Sequence, residues 1–158
     1  MAAQHLVFTQ SARGHLDVAR ARNLAQGFFG STIEPVDLSV VSLHKQQRTV
    51  TRLVLRSTLG AFEASFDVQA RARTDADDRL VRDAEARGGC FGMGLLVGPC
   101  AHVWEVRPVG EPGEAATWTL CAVLAATGLG PVLPPDRSTL LGVRAAYARG
   151  AAEFSSYR

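Results

Sequence analysis

The residue types most able to support chemistry lie in and beside the glycine-rich stretch GGCFGMGLLVGPC, at positions 88–100. The stretch holds five glycines and two cysteines. Glycine clusters occur in loops that bind phosphate, because glycine lets backbone N–H groups approach an anion closely. Cysteine can act as a nucleophile, a redox group or a metal ligand. The stretch could therefore be a nucleotide loop, a thiol site or a structural connection.

The residues around the glycines argue against a nucleotide loop. A Walker loop needs Lys and then Ser or Thr after its last glycine, and no Lys or Arg lies between Arg87 and Arg107. Gly92, Gly94 and Gly98 follow the pattern G-x-G-x-x-x-G, which is one residue longer than the dinucleotide fingerprint. The element predicted before the loop is also a helix, where that fingerprint requires a strand. We therefore predict a structural connection that binds no nucleotide, and we predict no cofactor.

As a structural connection, the stretch should begin by ending a helix and then continue in helical turns over 91–98. We expect a close backbone contact at Gly92 or Gly94, since glycine clusters let two elements pack tightly. The side chains expected to be buried against the sheet are Phe91, Leu95 and Leu96.

Cys100 and His102 are the only candidates for catalytic residues. They are two positions apart, and residues i and i+2 of a strand point to the same face. A histidine in that position could activate a thiolate nucleophile. The alternative is two half-buried residues on a sheet face. Cys90 and Cys100 are ten residues apart and form no C-x-x-C motif, so no metal site is predicted.

Composition places the chain in the class of single globular domains. Its 158 residues fit one α+β domain spanning 1–158, with 47% hydrophobic and 20% charged residues. The net charge of +2 is too small to indicate a nucleic-acid partner. The apolar tract 120–133 is interrupted by Gly and Pro and is too short to cross a membrane. An odd number of cysteines and an N-terminus without signal-peptide features favour a cytoplasmic location.

Hydrophobic periodicity predicts a mostly antiparallel sheet packed by four helices. The predicted helices lie near 11–28, 75–87, 114–127 and 143–154. The predicted strands are 5–9, 36–43, 48–57, 61–71 and 101–108, with a polar turn at 44–47 and a further hairpin around 134–137. Ser11 is expected to cap the first helix and Gly128 to end the third. This order of elements is similar to that of small dimeric α+β adaptors and secretion chaperones.

The hairpin over 48–71, at the centre of the predicted sheet, allows its register to be predicted. Strict alternation over 61–71 gives that strand one apolar and one polar face. With Leu59-Gly60 as the turn, Arg56 lies opposite Glu63 and Arg52 lies opposite Asp67, and such cross-strand pairs favour this register. Leu53 and Phe66 then share the apolar face.

The helix near 75–87 has consistent local signals. Thr74 is a good N-cap, and the first turn is rich in aspartate, as the helix dipole favours. Three acid–base pairs at i,i+4 are expected, namely Asp75–Arg79, Asp78–Arg82 and Asp83–Arg87. They predict a solvated helix face, with an anion-binding or partner-binding face as the alternative. Trp104 and Trp118 are expected in or beside the core.

Without a catalytic motif, the sequence favours a non-catalytic protein-interaction or adaptor module. We expect it to bind a protein partner or to associate with itself as a homo-oligomer, and not to act at a membrane or on nucleic acid. The competing hypothesis is a small-molecule-binding protein or enzyme. Its pocket would lie beside Cys100, His102 and the glycine-rich turn at 88–98.

Overall fold

The structure is a computed structural model that describes residues 4–36 and 50–155. The strands in these ranges are β1 (His5–Thr9), β2 (Ser31–Val36), β3 (Val50–Ser57), β4 (Glu63–Ala72), β5 (His102–Val109) and β6 (Val132–Leu133). The α-helices are α1 (Val18–Phe28), α2 (Asp75–Gly88), α3 (Glu114–Gly128) and α4 (Val143–Ser155). Two 3₁₀ turns lie at Ala12–Gly14 and Met93–Leu96.

The strands form one antiparallel sheet in the order β2-β3-β4-β5-β1-β6. The predicted α+β fold is therefore confirmed. The central strands are β4 and β5, so the β3–β4 hairpin contributes one of them. The part of the chain described contains no helix with the length and apolarity needed to span a membrane.

The two faces of the sheet carry different layers. On one side, which we call the three-helix face, α1, α3 and α4 cover a core that includes Phe66 and Trp104. On the opposite side, the α2 face, α2 covers β1, β5 and β6 through residues such as Phe8 and Val103. Strand alternation sends neighbouring residues to opposite faces, as Val103 and Trp104 do. Trp104 is fully buried and Trp118 is 5% exposed, which confirms the prediction that both lie in the core.

The predicted register of the central hairpin is confirmed. Leu53 pairs with Phe66 across the strands. On the polar face, Arg52 Nε lies 2.7 Å from Asp67 Oδ1, and Arg56 Nε lies 3.2 Å from Glu63 Oε2. The connection runs from 58 to 62, which is longer than the predicted two-residue turn, and contains Gly60 at φ +72°. Opposite charges on the wet face and apolar residues on the other select the same alignment.

The first helix starts later than predicted. Arg13 and Gly14 have φ values of 55° and 70°, and an α-helix cannot continue through two left-handed residues. The chain therefore makes only a 3₁₀ turn here, and the Ser11 side chain makes no capping bond. Asp17 caps α1 instead, because its carboxylate accepts a hydrogen bond from the Arg20 N–H at 3.0 Å.

The sequence analysis assigned no strand to residues 31–35, although β2 covers them and includes Pro35. The strand sits at the edge of the sheet, where proline removes no donor that a neighbouring strand needs. The predicted strand 36–43, beyond Val36, and the predicted turn 44–47 lie outside the described residues. In place of the predicted hairpin around 134–137, the structure has a single antiparallel bridge between Val132 in β6 and Leu141.

The predicted cap of α2 is confirmed, but its predicted ion pairs are wrong. Thr74 and Asp77 form a reciprocal capping box. Asp78 pairs with Arg73 at 3.2 Å, and Arg87 donates to backbone carbonyls in the loop after β6. None of the three expected i,i+4 pairs occurs among the described side chains. Asp78 and Arg87 thus have partners outside the helix, because ion pairs along a single exposed helix are weak.

Candidate functional site

The glycine-rich stretch leaves α2 through a sharp turn and leads into β5. Gly89 has a φ of 62° and Gly92 a φ of 97°, which are conformations that side chains with a Cβ rarely adopt. Between these glycines and Cys100 the chain makes the 3₁₀ turn Met93–Leu96. We call residues 91–96 the apolar loop.

One carboxylate from α2 holds the start of this loop. Glu85 Oε1 accepts a hydrogen bond from the Gly92 N–H at 3.0 Å, and Glu85 Oε2 accepts one from the Gly94 N–H at 2.8 Å. Hydrogen bonds to a charged carboxylate are stronger than hydrogen bonds between neutral groups. The loop therefore does bind an anion through its backbone, but the anion belongs to the protein's own helix.

A guanidinium holds the end of the loop. Arg73, at the end of β4, donates to the carbonyl of Val97 and, at 2.8 Å, to that of Cys100. Arg73 is itself paired with Asp78 on α2. The Cys90 N–H also donates to the Glu85 carbonyl at 3.1 Å. Both ends of the apolar loop are thus tied to α2 and to the sheet.

The burial predicted for the loop is wrong. Phe91 is 77% exposed, Leu95 81% and Leu96 48%. Val97 and Cys100 pack inward in their place, because α2 already covers the part of the sheet that the loop was expected to reach. The expected close contact at Gly94 is made with the Glu85 side chain and not with the sheet.

The three outward side chains lie close together in the chain, and the segment that carries them has no charged residue of its own, while Leu95 borders a cavity that Arg82 and Glu85 also line. Positions 88–101 contain no Asp, Glu, Lys, Arg or His. Exposed apolar residues that occur singly are normal on protein surfaces, whereas a contiguous group marks a contact surface. The apolar loop is therefore the strongest candidate for a functional site in the described residues.

The structure does not bring Cys100 and His102 together. The Cys100 sulfur is buried in the core of the α2 face, where its thiol donates to the Leu96 carbonyl at 3.3 Å. His102 shares its strand face with Trp104, on the three-helix side, and its ring lies against Gly14. Burial raises the pKa of the Cys100 thiol, so the sulfur is protonated at neutral pH. This arrangement gives no base that could activate it.

An open cavity does lie beside the glycine-rich stretch. It measures about 350 Å³, and neither Cys100 nor His102 lines it. Its charged wall includes Arg73, Arg82 and Glu85. Two of these three side chains are already used to hold the loop. Among the residues with described side chains, no three potential metal ligands come together.

His5 is a half-buried titratable residue that no sequence motif indicated. Its ring meets Trp118 edge-on, with centroids 4.7 Å apart, and Arg149 lies 5.1 Å from the centre of the Trp118 ring. Burial, with the positive charge of Arg137 adding to it, lowers the His5 pKa to about 4. The imidazole is therefore neutral at physiological pH.

A second exposed apolar feature lies on the three-helix face. A groove of about 420 Å³ runs between α1 and α4, and we call it the α1–α4 groove. Phe28 on its rim is 75% exposed, and Phe29 packs edge-on against Tyr147 with centroids 5.2 Å apart. Its lining residues are Leu24, Phe28, Phe29, Ala126, Val143, Arg144 and Tyr147. Sequence analysis missed it because residues of three helices contribute to it.

Comparison with known proteins found no matching family model, no matching curated protein and no matching solved structure.

Proposed function

We propose that the protein is a non-catalytic protein-interaction module that uses the apolar loop as its contact surface. One observation carries the proposal, namely that the loop is held at both ends and yet points Phe91, Leu95 and Leu96 into solvent. Leaving such side chains in water is unfavourable unless another surface covers them. A loop already held in place also loses less conformational entropy on binding.

The size of the patch indicates the kind of interface. Three partly exposed side chains offer at most a few hundred Å², whereas a standard interface buries about 800 Å² per partner. The loop would therefore be the apolar centre of a contact that polar neighbours complete. The partner is a protein surface with an apolar cleft, on another protein or on a second copy in a homo-oligomer.

We place this activity in the cytoplasm. The three cysteines are all free, and Cys100 and Cys121 are fully buried. Free thiols fit a reducing compartment better than an oxidising one.

The test compares two leucines with matched exposure. Leu95 lies in the apolar loop and is 81% exposed, while Leu59 lies in the β3–β4 turn and is 87% exposed. Replacing Leu95 by Asp should abolish binding, because a charge would be buried in an apolar contact. Replacing Leu59 by Asp should leave binding unchanged. Complexes recovered from the native host by the tagged wild type and both variants, together with their masses in solution, give the measurement.

Circular dichroism melts confirm that each variant is folded. The proposal is wrong if Leu95→Asp retains every partner and the same mass in solution as the wild type. Binding that is lost equally in the Leu59→Asp variant would also contradict it, since the effect would then not be specific to the loop.

The competing function, a small-molecule or nucleotide pocket beside the loop, has less support. Only the cavity lined by Arg73, Arg82 and Glu85 favours it. We expect ATP, GTP and NADH to leave the melting temperature unchanged, because Glu85 already occupies the backbone donors of Gly92 and Gly94. A saturable rise in melting temperature with any of them would support the pocket instead.

A further inference from the structure

We propose that a trough along α4 binds a free anionic amphiphile of the long-chain carboxylate class, with its carboxylate at Arg144 and its apolar chain along the helix. The trough consists of the α1–α4 groove and an adjoining cavity of about 330 Å³. It lies on the three-helix face, while the apolar loop packs on the α2 face. The inference therefore goes beyond the proposed function and does not depend on it.

The two cavities follow one face of α4. Both are lined by Phe29 and Tyr147, whose rings pack edge-on with centroids 5.2 Å apart. Arg144 lines the groove and Ala151 lines the adjoining cavity. Because positions 144, 147 and 151 are spaced i, i+3 and i+7, they share one face of the helix. At 1.5 Å per residue, the trough extends roughly 10 Å along α4 between Arg144 and Ala151. Its shape suits an extended chain.

The walls of the trough favour a chain without polar groups. Four serine and threonine side chains in the adjoining cavity already bond to the protein's own backbone. Thr58 Oγ1 donates to the Gly30 carbonyl at 2.9 Å, and Thr119 Oγ1 donates to the Ala115 carbonyl at 2.8 Å. The other two are Ser31 and Ser57. A ligand with a polar group at every few atoms, such as an extended peptide, would lose bonds to water and find few partners here. Methylene groups lose no such bonds, and their burial is favourable.

A single positive charge determines the kind of head group. Among the described residues that line the trough, Arg144 is the one charged residue. Its side chain is exposed and forms no ion pair with any described side chain. A guanidinium can donate two parallel hydrogen bonds to a carboxylate. From Arg144 the apolar chain would then run past Phe28 and Tyr147. A cationic head group would be repelled, and a neutral one would gain no ionic hydrogen bond.

Titration calorimetry with dodecanoate, below the concentration at which it forms micelles, tests the proposal. We expect saturable binding of one dodecanoate per chain. Octanoate should bind more weakly, by up to roughly fourfold for each methylene removed, because less apolar surface is buried. Dodecyltrimethylammonium has an apolar chain of the same length and a positive head group, so it should show no saturable binding.

Two pairs of variants assign the binding to the trough. Arg144→Glu reverses the charge at the head group and should weaken dodecanoate binding by about fivefold or more. Its control is Arg79→Glu, since Arg79 is exposed on α2 and forms no ion pair with a described side chain. Ala151→Glu places a charge beside the apolar chain and should weaken binding by about tenfold or more. Its control is Ala148→Glu, because Ala148 is exposed on α4 and lines neither cavity.

All four positions are exposed, so the fold should tolerate each change, and circular dichroism melts check this. The proposal is overturned if dodecanoate gives no saturable heat, if octanoate or the dodecyl cation binds as tightly, or if each variant behaves like its control. Sedimentation of the protein with phosphatidylcholine–phosphatidylglycerol vesicles, without binding of free dodecanoate, would overturn it as well, since the trough would then contact a membrane surface. Leu95→Asp should bind dodecanoate like the wild type, so a failure of this inference is distinguishable from a failure of the proposed function.

Discussion

Two pairs of glycines, Gly89 with Gly92 and Gly128 with Gly130, serve opposite purposes in this protein. In the stretch 88–98, a Cβ added at Gly89 or Gly92 would meet nothing within 4 Å, and both residues have positive φ. At the end of α3, a Cβ at Gly128 would lie 2.5 Å from Thr9 Oγ1, and just beyond the helix one at Gly130 would lie 2.1 Å from the Phe8 carbonyl oxygen. Gly89 and Gly92 supply conformational freedom, whereas Gly128 and Gly130 are needed for their small size.

The helix α3 ends at Gly128, but the residue that caps it lies one position later than predicted. Gly128 was expected to end the helix, but the left-handed residue is Leu129, with a φ of 59°. Gly128 is the last residue of the helix, where it lies against Thr9 and the Trp104 ring. A leucine in the left-handed region costs roughly 1–2 kcal/mol. The density of glycines in a sequence therefore does not show where glycine matters most for packing.

The largest effect is expected at the α3 end. Replacing Gly130 by Ala should lower the free energy of unfolding by roughly 3 kcal/mol, at the upper end of the usual overpacking cost, because the new methyl group collides with the backbone of β1. Gly27→Ala is the control, since Gly27 lies in α1 with nothing within 4 Å of the new atom. That change should stabilise the protein by about 0.5–1 kcal/mol. Urea unfolding measures both, and equal midpoints for the two variants would contradict the contrast.

The second-largest effect on stability is expected at Glu85, which holds the apolar loop. Replacing Glu85 by Ala removes the acceptor of two hydrogen bonds to the apolar loop, and we expect a loss of about 1–3 kcal/mol, mostly in local opening. Hydrogen exchange should become faster at the Gly92 and Gly94 amides while the β4 and β5 amides change little. Asp83→Ala is the control, as Asp83 is an exposed acid on the same helix. Loop amides that exchange equally in both variants would show that Glu85 does not hold the loop.

Local signals predicted much of the fold because each of them involves residues close in sequence. The hairpin register followed from Arg52, Asp67 and the alternation beside them, and the start of α2 followed from Thr74. These signals failed where a tertiary contact decided the outcome. Arg87 donates to carbonyl groups in the loop after β6 and does not pair with Asp83 on its own helix, and the glycine-rich loop faces solvent because α2 occupies the sheet surface beneath it.

Only the position of the candidate site in the sequence could be predicted. The stretch 88–98 stood out by its composition, and its lack of charge is the basis of the prediction that it binds no nucleotide. The outward direction of Phe91 and Leu95 depends on Glu85 and Arg73, which lie in other elements. The α1–α4 groove could not be predicted, because its shape depends on how distant helices pack.

Substitution of Gly94 should have a smaller effect on the free energy of unfolding than substitution of Gly130, because the new methyl group would meet a side chain and not the backbone. A Cβ at Gly94 would lie 2.1 Å from Glu85 Oε2, but the end of a glutamate side chain can move away. Gly94→Ala should therefore cost about 1 kcal/mol, the value of the hydrogen bond that is lost. In the Glu85→Ala background the same change should cost almost nothing, so the two substitutions should be strongly non-additive. Additive losses in urea unfolding would place the collision elsewhere.

The smallest change in stability is expected at Leu129, where the substitution should stabilise the protein. This residue has a φ of 59° and is 57% exposed, so replacing it by glycine removes backbone strain and gives up little burial. The gain is limited because glycine also has more conformational freedom in the unfolded chain. We expect Leu129→Gly to stabilise the protein by up to about 1 kcal/mol. The reciprocal change, Gly89→Ala, puts a Cβ on a left-handed residue and should destabilise it by about 1 kcal/mol. Melting temperatures that move in opposite directions would show that conformation governs both exposed positions, whereas a fall for Leu129→Gly would show that the leucine side chain contributes more by packing than its backbone costs.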